Sequence, residues 1–268
     1  MPFTPAHAVV AIPFARTPLP AAAIAVGAMT PDVPLFFRVG IDYWLTHDWI
    51  GAVLVDLPLA LMLLLVWRVV LRPAVPQLTP RWFAQRWPRG WSDPAAGWWE
   101  TWGPRAATAL ERVRTVALLV LALLLGIATH LVWDAFTHEG RWGSDVAPAL
   151  ETVVGPFALV KWAQYASSAV GLAIIALWGL AVLRRADPVP PPRVAPAWVR
   201  GAVAVALPAS LAIAGVVVAV IAGGPDATGW RIFLGRVGTT GAGLFLVILG
   251  LVAAAITLRA ARHARDVT

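Results

Sequence analysis

Five long apolar runs dominate the sequence and constrain its fold more than any other feature. Each approaches the ~20 apolar residues that a helix needs to cross a bilayer. Only 13% of the 268 residues are charged, against about 25% in a soluble domain, so lipid is the main solvent of this chain. The sequence therefore predicts an all-α, polytopic membrane helical bundle with spans at about 50–71, 115–137, 166–183, 199–222 and 240–258.

Residues 1–40 follow a different pattern. Thr-Pro pairs begin at Thr4, Thr17 and Thr30, and Thr as N-cap with Pro at the first helical position is typical of a helix start. Each helix would hold only about 10 residues, too few to span at 1.5 Å per residue. We predict an N-terminal helical hairpin, re-entrant or packed on the bundle, with both ends on one side of the membrane.

The arginines predict the orientation. They concentrate in the 72–114 loop, in residues 184–200 and in the C-terminal tail, whereas the 138–165 and 223–239 connections carry few. The positive-inside rule then makes the Arg-rich loop and the C-terminus cytoplasmic and the 138–165 loop extracytoplasmic. We predict a multi-pass protein of the cytoplasmic (inner) membrane, with residues 1–268 forming a single membrane-embedded domain. Tryptophans in the 72–114 loop predict an interfacial belt or surface-lying helix; an aromatic substrate groove is the alternative.

Charge and cysteine content narrow the possible functions. The net charge is +7 and the pI is near 11.3, but the arginines flank apolar runs and no nucleic-acid recognition motif is present, so we predict no nucleic-acid partner. The sequence has no cysteine, which excludes disulfides and thiolate metal sites. A metal site would have to use His, Asp and Glu.

The stretch THLVWDAFTHEG, residues 129–140, places ionisable side chains at the end of the second span. His130, Asp134 and His138 advance by about 40° per step and share one helix face. His130 and His138 are roughly 12 Å apart along a regular helix, too far to share one ion. Asp134 between them could bridge two ions. Hydrogen-bonded packing is the alternative, although ionisable groups in spans are rare and usually functional.

The topology gathers further candidates at the same extracytoplasmic mouth. The first span begins near His47 and Asp48, and the hairpin brings its two ends together. Nitrogen and carboxylate ligands without sulfur favour zinc, with manganese or iron as alternatives, as one or two divalent ions. If the ions are catalytic, Asp48 or Glu139 could accept a proton, although each could equally be a solvated rim charge. The groups that the topology gathers are His7, Asp32, His47, His130, Asp134 and His138.

Four blocks of the sequence carry a resemblance to a known family, namely MPFTPAHAVVAIPF, GAMTPDVPLFF, THLVWDAFTHEG and KWAQYASSAVGL. Together they resemble a bacterial membrane protein family catalogued as domain of unknown function 4184. The resemblance covers most of the chain, but after about residue 200 it is one of hydropathy only. More remotely, the chain is similar to membrane-bound metal-dependent hydrolases, and zinc-dependent phospholipases C use a comparable His/Asp set. That similarity implies a metal-ligand set of all six groups above, with Asp134 bridging.

These observations support one function and leave others open. The first hypothesis is a metal-dependent hydrolase that acts on a lipid or prenyl phosphoester, with membrane lipids and an amphiphilic small-molecule substrate as partners. The alternative is a non-catalytic transporter or structural membrane protein that uses the trio for packing or ion passage, although no inverted repeat supports a transporter. A haem carrier is disfavoured because Asp134 stands between the histidines, whereas haem takes His or Met ligands.

Overall fold

The structure is a computed structural model that describes residues 3–38, 40–105, 107–190 and 195–266. The structure is 81% helical with almost no strands, which confirms the predicted all-α polytopic bundle. Among the described residues, five helices are long and apolar enough to cross a membrane, as the sequence predicts. Their bounds are Trp49–Leu78, Ala109–Thr137, Leu159–Arg185, Ala197–Ala222 and Trp230–Ala260.

The chain begins with short elements and then a composite first span. The short elements are a 3₁₀-helix at Thr4–Phe14, α1 at Ala21–Met29, a 3₁₀ turn at Thr30–Asp32, α2 at Val33–Phe37 and α3 at Tyr43–Thr46. The first span joins α4 at Trp49–Gly51, a π-helical stretch at Ala52–Asp56, α5 at Leu57–Val66, a second π-helical stretch at Trp67–Leu71 and α6 at Arg72–Leu78.

The remaining elements alternate short helices with long ones. They are α7 at Arg81–Ala84, a 3₁₀ turn at Arg89–Ser92, α8 at Pro94–Trp102, α9 at Ala109–Thr137, α10 at Trp142–Val146 and a 3₁₀ turn at Pro148–Glu151. A small antiparallel hairpin follows, with β1 at Val153–Val154 and β2 at Phe157–Ala158. The last four helices are α11 at Leu159–Arg185, α12 at Ala197–Ala222, α13 at Pro225–Thr228 and α14 at Trp230–Asp266.

Several predicted boundaries were wrong. The 72–114 segment is largely helical, because the first span continues through α6 and is followed by α7 and α8. The last span begins ten residues before the predicted 240, at Trp230. The second hairpin helix begins at Ala21 rather than after Thr17. Pro20 explains the delay, because a proline disfavours the helical conformation at the residue before it.

The backbone contacts divide the chain into two compact units. The first comprises residues 1–34, 40–64 and 101–182, and the second comprises residues 35–39, 65–100 and 183–268. In the second unit, α12 packs along α14. Apolar residues from α6, α12 and α14, together with one that lies just before α12, form a buried cluster there, namely Ala74, Ala195, Val199, Ala253 and Ile256. The single domain over residues 1–268 stays a prediction.

In the first unit, α1 lies directly against α9 because both helices have glycine at the crossing. A Cβ on Gly27 would stand 2.3 Å from the Leu123 carbonyl oxygen, and one on Gly126 would stand 2.2 Å from the Ile24 carbonyl oxygen. No side chain fits in either place without moving backbone. This close crossing sets the end of α1 beside the second half of α9, where the candidate site lies.

Candidate metal centre

Three segments of the first unit each bring ligand groups to one point. The face of α9 supplies His130 and Asp134, the 3₁₀ turn after α1 supplies Asp32, and the residue that ends α3 is His47. The Thr46 hydroxyl donates to the Pro31 carbonyl at 2.8 Å, which ties the end of α3 to the turn that holds Asp32. All four ligand residues are buried, and His47, at 8% exposed, is the least enclosed.

The ligand atoms of these four residues have the spacing of a metal site. The two imidazole Nε2 atoms of His47 and His130 are 3.3 Å apart. Asp134 Oδ2 lies 3.5 Å from each Nε2, and Asp32 Oδ1 lies 3.7 Å and 3.8 Å from them. A tetrahedral ion with ligands at about 2.0–2.1 Å has ligand–ligand edges of about 3.3–3.4 Å. The four groups can hold a metal ion.

Backbone carbonyls fix which nitrogen of each histidine is available. His130 Nδ1 lies 2.8 Å from the Ala28 carbonyl oxygen, and His47 Nδ1 lies 2.9 Å from the Tyr43 carbonyl oxygen. A carbonyl only accepts, so each Nδ1 carries the proton and donates, which leaves a lone pair on each Nε2 of the neutral rings. Two facing lone pairs cannot bond to one another. A cation between them satisfies both.

The carboxylates also fit a metal better than a hydrogen-bonded core. Asp32 Oδ2 accepts a hydrogen bond from the Thr4 hydroxyl at 2.6 Å. Among the described residues, however, Asp32 Oδ1 and both Asp134 oxygens are buried without a hydrogen-bond partner. Buried polar atoms are nearly always paired, and distances of 3.4–3.8 Å to the imidazoles are too long for hydrogen bonds. Those distances are instead close to the separations between ligand atoms around a bound metal ion.

His7 joins the cluster from the N-terminal 3₁₀-helix. Its Nε2 lies 3.5 Å from Asp134 Oδ1, the oxygen opposite the one that faces His47 and His130. Its ring lies 4.2 Å from the His130 ring, centroid to centroid. Burial lowers the pKa of His7 to about 3, so the ring is neutral at pH 7 and retains a lone pair for a metal.

His138 reaches the cluster because α9 ends before it. The residue has extended backbone angles, φ −128° and ψ 137°, while its amide still donates to the Asp134 carbonyl. Its Nδ1 therefore lies 3.4 Å from Asp134 Oδ2, the oxygen that His130 approaches at 3.5 Å. The predicted separation of His130 and His138 assumed a regular helix through residue 138, whereas α9 ends at Thr137. That the two histidines do not share one ion stays a prediction. Burial lowers the pKa of His138, which keeps this ring neutral as well.

The two candidate proton acceptors lie at the edge of the site. Asp48 is exposed and caps α4, its Oδ2 accepting from the Ile50 amide at 2.9 Å. Glu139 is exposed and directly follows His138. Their proposed part in catalysis stays a prediction.

Two buried polar residues were missed by the sequence analysis. Gln164 of α11 is fully buried, with its Nε2 2.8 Å from His138 Nε2 and its Oε1 unpaired among the described residues. Asp56 is fully buried in the first π-helical stretch, and neither of its carboxylate oxygens has a hydrogen-bond partner among the described residues. It interacts electrostatically with His130. Asp56 is an ionisable residue inside the first apolar run, which is the signal that singled out the trio, whereas Gln164 lies just before the predicted third span.

The fold and this cluster define a class of protein: a multi-pass membrane protein with a buried His/Asp group that can hold a metal ion. Residues 1–256 match the family described as Domain of unknown function (DUF4184), and the chain belongs to that family. The family resemblance read from the sequence is thereby confirmed. No curated protein and no solved structure matches the chain.

Proposed function

We propose that this protein is a membrane-bound, metal-dependent hydrolase. The observation that carries the proposal is the surplus of ligands around Asp134. Four groups already suffice for one tetrahedral ion, yet His7 and His138 also point nitrogens at the Asp134 carboxylate, at 3.5 Å and 3.4 Å. A metal that only braces a fold needs four ligands. Four histidines around the one carboxylate of Asp134, with Asp32 as a further ligand, favour two ions that share it.

The two oxygens of Asp134 suit such an arrangement. Oδ2 faces the Nε2 atoms of His47 and His130, while Oδ1 faces His7. A carboxylate that binds through both oxygens can bridge ions about 3.5–4 Å apart. Zinc is the leading candidate for these nitrogen and oxygen ligands, with manganese or iron as alternatives.

The protein's own residues would orient the ligands and move the proton. Bound divalent ions supply Lewis acidity and bring the pKa of coordinated water towards ~7. Thr4 holds Asp32 in place through its 2.6 Å hydrogen bond. Gln164 Nε2 lies 2.8 Å from His138 Nε2, so the orientation of that amide decides which nitrogen of His138 carries the proton. Asp48 and Glu139, exposed at the edge of the site, are the candidate proton acceptors.

An apolar groove beside the cluster supports a lipid-like substrate. It has a volume of about 390 Å³ and is lined by Val10, Ala128, Thr129, Val132, Trp133 and Phe136. The Trp133 ring makes an edge contact with the His7 ring at 5.2 Å, so one wall of the groove contacts a candidate metal ligand. A hydrocarbon chain in the groove would leave its polar head at the ions. We propose a lipid or prenyl phosphoester, because two ions can stabilise both the attacking and the leaving oxygens.

The proposed location follows from the arginines. Their segregation favours insertion in the cytoplasmic (inner) membrane with the C-terminus in the cytoplasm. The cluster would then face the extracytoplasmic side. The substrate would reach it laterally from the bilayer.

The test is turnover by the protein reconstituted in vesicles. We expect chelator-sensitive release of phosphate or headgroup from one member of a panel of phospholipids and prenyl phosphates, restored by added zinc. His7→Ala should retain about one equivalent of metal and lose turnover, because it removes only the ligand at Asp134 Oδ1. Asp145→Asn, on exposed Asp145 of α10, is the control that should leave both unchanged. Bound metal without chelator-sensitive release from any substrate would rule out the hydrolase.

A structural metal is the second candidate, and one observation favours it. Asp32, His47, His130 and Asp134 already supply four ligands, the number of a closed structural site, whereas catalytic zinc sites keep a position open for water or substrate. A structural site requires one equivalent of metal, and His7→Ala should retain all of it. The two-ion hydrolase requires two equivalents of metal, and His7→Ala should lose the second.

A further inference from the structure

Arg141 lies in the tight turn that follows α9, next to the metal centre. Gly140 before it has a positive φ of 69°, and a Cβ on Gly143 after it would stand 2.1 Å from the Ala135 carbonyl oxygen. Glycine at these two positions lets the chain turn and pack back against α9. The turn thereby fixes the backbone of Arg141, which is the residue that begins α10 as its N-cap.

The Arg141 guanidinium lies over two aromatic rings of α3. Its central carbon is 4.8 Å from the centre of the Trp44 ring and 5.7 Å from the centre of the Tyr43 ring. The Tyr43 ring in turn lies 3.9 Å from the His47 ring, centroid to centroid, with 32° between their planes. One aromatic side chain therefore separates Arg141 from a candidate metal ligand.

These contacts leave Arg141 able to bind an anion. The attraction between a cation and an aromatic ring is electrostatic, so N–H donors of the guanidinium remain for another partner. The side chain is half-buried and therefore open to solvent. Among the described residues, no carboxylate forms an ion pair with it. A guanidinium binds phosphate and carboxylate through two parallel hydrogen bonds, and this one is already oriented by the rings.

The turn that carries Arg141 also adjoins the apolar groove. Phe136 of α9 lines that groove, and its ring makes an edge contact at 5.4 Å with the ring of Trp142, the residue after Arg141. An amphiphile whose hydrocarbon chain lies in the groove would have its polar head near this turn. In a phospholipid bilayer the anionic group of such a head is a phosphate.

We propose that Arg141 forms an oxyanion subsite that binds the phosphate of the substrate's polar head. The inference rests on the phosphoester substrate proposed above and adds the residue that recognises its phosphate. Tyr43 and Trp44 hold the guanidinium beside the metal centre, and its N–H groups donate to phosphate oxygens. Arg141 binds no metal, so its replacement changes the binding of the substrate and leaves the metal content unchanged.

Binding of farnesyl phosphonate to the purified protein in a neutral detergent tests the subsite, because the C–P bond of this probe resists hydrolysis. Isothermal titration calorimetry measures the affinity, with farnesol as the matched probe without an anionic group. We expect the wild type to bind the phosphonate more tightly than farnesol. Arg141→Gln should weaken phosphonate binding by about tenfold or more, since charge-assisted hydrogen bonds are lost, and should leave farnesol binding unchanged. The control Arg114→Gln, on an exposed arginine of α9, should alter neither affinity.

Two further variants separate an oriented guanidinium from a positive charge alone. Arg141→Lys keeps the charge but loses the planar fork, so its phosphonate affinity should lie between those of the wild type and Arg141→Gln. Trp44→Leu, at a residue that is 67% exposed, removes one of the two rings and should weaken phosphonate binding by about two- to fivefold.

The subsite and the hydrolase can fail separately in these experiments. Wild-type phosphonate affinity in Arg141→Gln would overturn the subsite even if the protein hydrolyses a phosphoester, as would equal binding of phosphonate and farnesol by the wild type. Inorganic phosphate that displaces farnesyl phosphonate at matched concentration would assign the subsite to a soluble anion and exclude the lipid-like head. Arg141-dependent phosphonate binding without chelator-sensitive turnover would support the subsite and rule out the hydrolase.

Discussion

Replacing Asp134 with asparagine tests the metal centre most directly. The substitution keeps the shape of the side chain but removes its charge. The carboxylate lies 3.4–3.5 Å from nitrogens of His7, His47, His130 and His138, so no other residue is shared by as many of the candidate ligands. Structural zinc sites bind with about 10–16 kcal/mol over four ligands, or about 3 kcal/mol each. Asp134→Asn should therefore weaken zinc binding by about 100-fold.

The same substitution should change stability in a metal-dependent direction. Without metal, the buried carboxylate lacks a cation, and an uncharged amide is the less costly group to bury. We therefore expect Asp134→Asn to melt no lower than the wild type in chelator. With zinc at 100 times its dissociation constant, the wild type gains about 2.7 kcal/mol and should melt higher than the variant.

Elemental analysis and thermal unfolding in detergent measure the two effects. The chain has no cysteine for a thiol-reactive dye, but its fifteen tryptophans report unfolding by fluorescence. Asp145→Asn makes the same chemical change on an exposed carboxylate of α10 and should alter neither metal content nor melting. Wild-type metal content in Asp134→Asn would refute the reasoning. So would an equal loss of stability with and without metal, which is the behaviour of a hydrogen-bonding residue that binds no ion.

Three further predictions follow from the packing and the topology. Gly126→Ala should reduce zinc affinity about tenfold and the free energy of unfolding by about 1–3 kcal/mol, because its Cβ would displace α1. The control Gly215→Ala, with open space at its Cβ, should change neither quantity in the same zinc titrations and thermal unfolding experiments. Gln164→Leu should weaken zinc binding by about 10–100-fold whereas Gln164→Glu, which can still accept from His138, should retain it; equal losses would exclude the positioning role. A reporter fused within residues 138–165 should be active only outside the cytoplasm, and cytoplasmic activity would overturn the proposed orientation.

The number of spans could be predicted from the sequence because hydropathy is a local property. The residues at which the spans end could not be predicted in the same way. The sequence analysis ended the first span at about 71, at the last residue of the apolar run. In the structure the helix continues to Leu78, and Arg72 pairs with Glu100 of α8, 28 residues away. No pattern within a local window contains that partner.

In the candidate site, too, the sequence predicts contacts within one helix but not contacts between helices. His130 and Asp134 share a helix face, so their spacing predicts that they lie together, and the structure places them so. Gln164 was missed because its role depends on His138, with which it shares no helical register. The sequence could not decide between two roles for Asp48, a proton acceptor or a helix cap, since a carboxylate just before a helix often serves as its cap. In the structure Asp48 caps α4.

The short helices near the N-terminus have a physical reason to end where they do. Ala28 lies in the last turn of α1, and the last carbonyls of a helix have no donor within that helix. One of them accepts from His130 Nδ1, and the Tyr43 carbonyl of four-residue α3 accepts from His47 Nδ1. An unbroken span would use these carbonyls in its own ladder. Helix ends inside a membrane protein are tolerated where they are buried against other groups, and here they orient both imidazoles so that each Nε2 faces the same point. The orientation of the two imidazoles thus depends on the early ends of α1 and α3. A pair of long N-terminal spans would leave neither carbonyl available to the histidines.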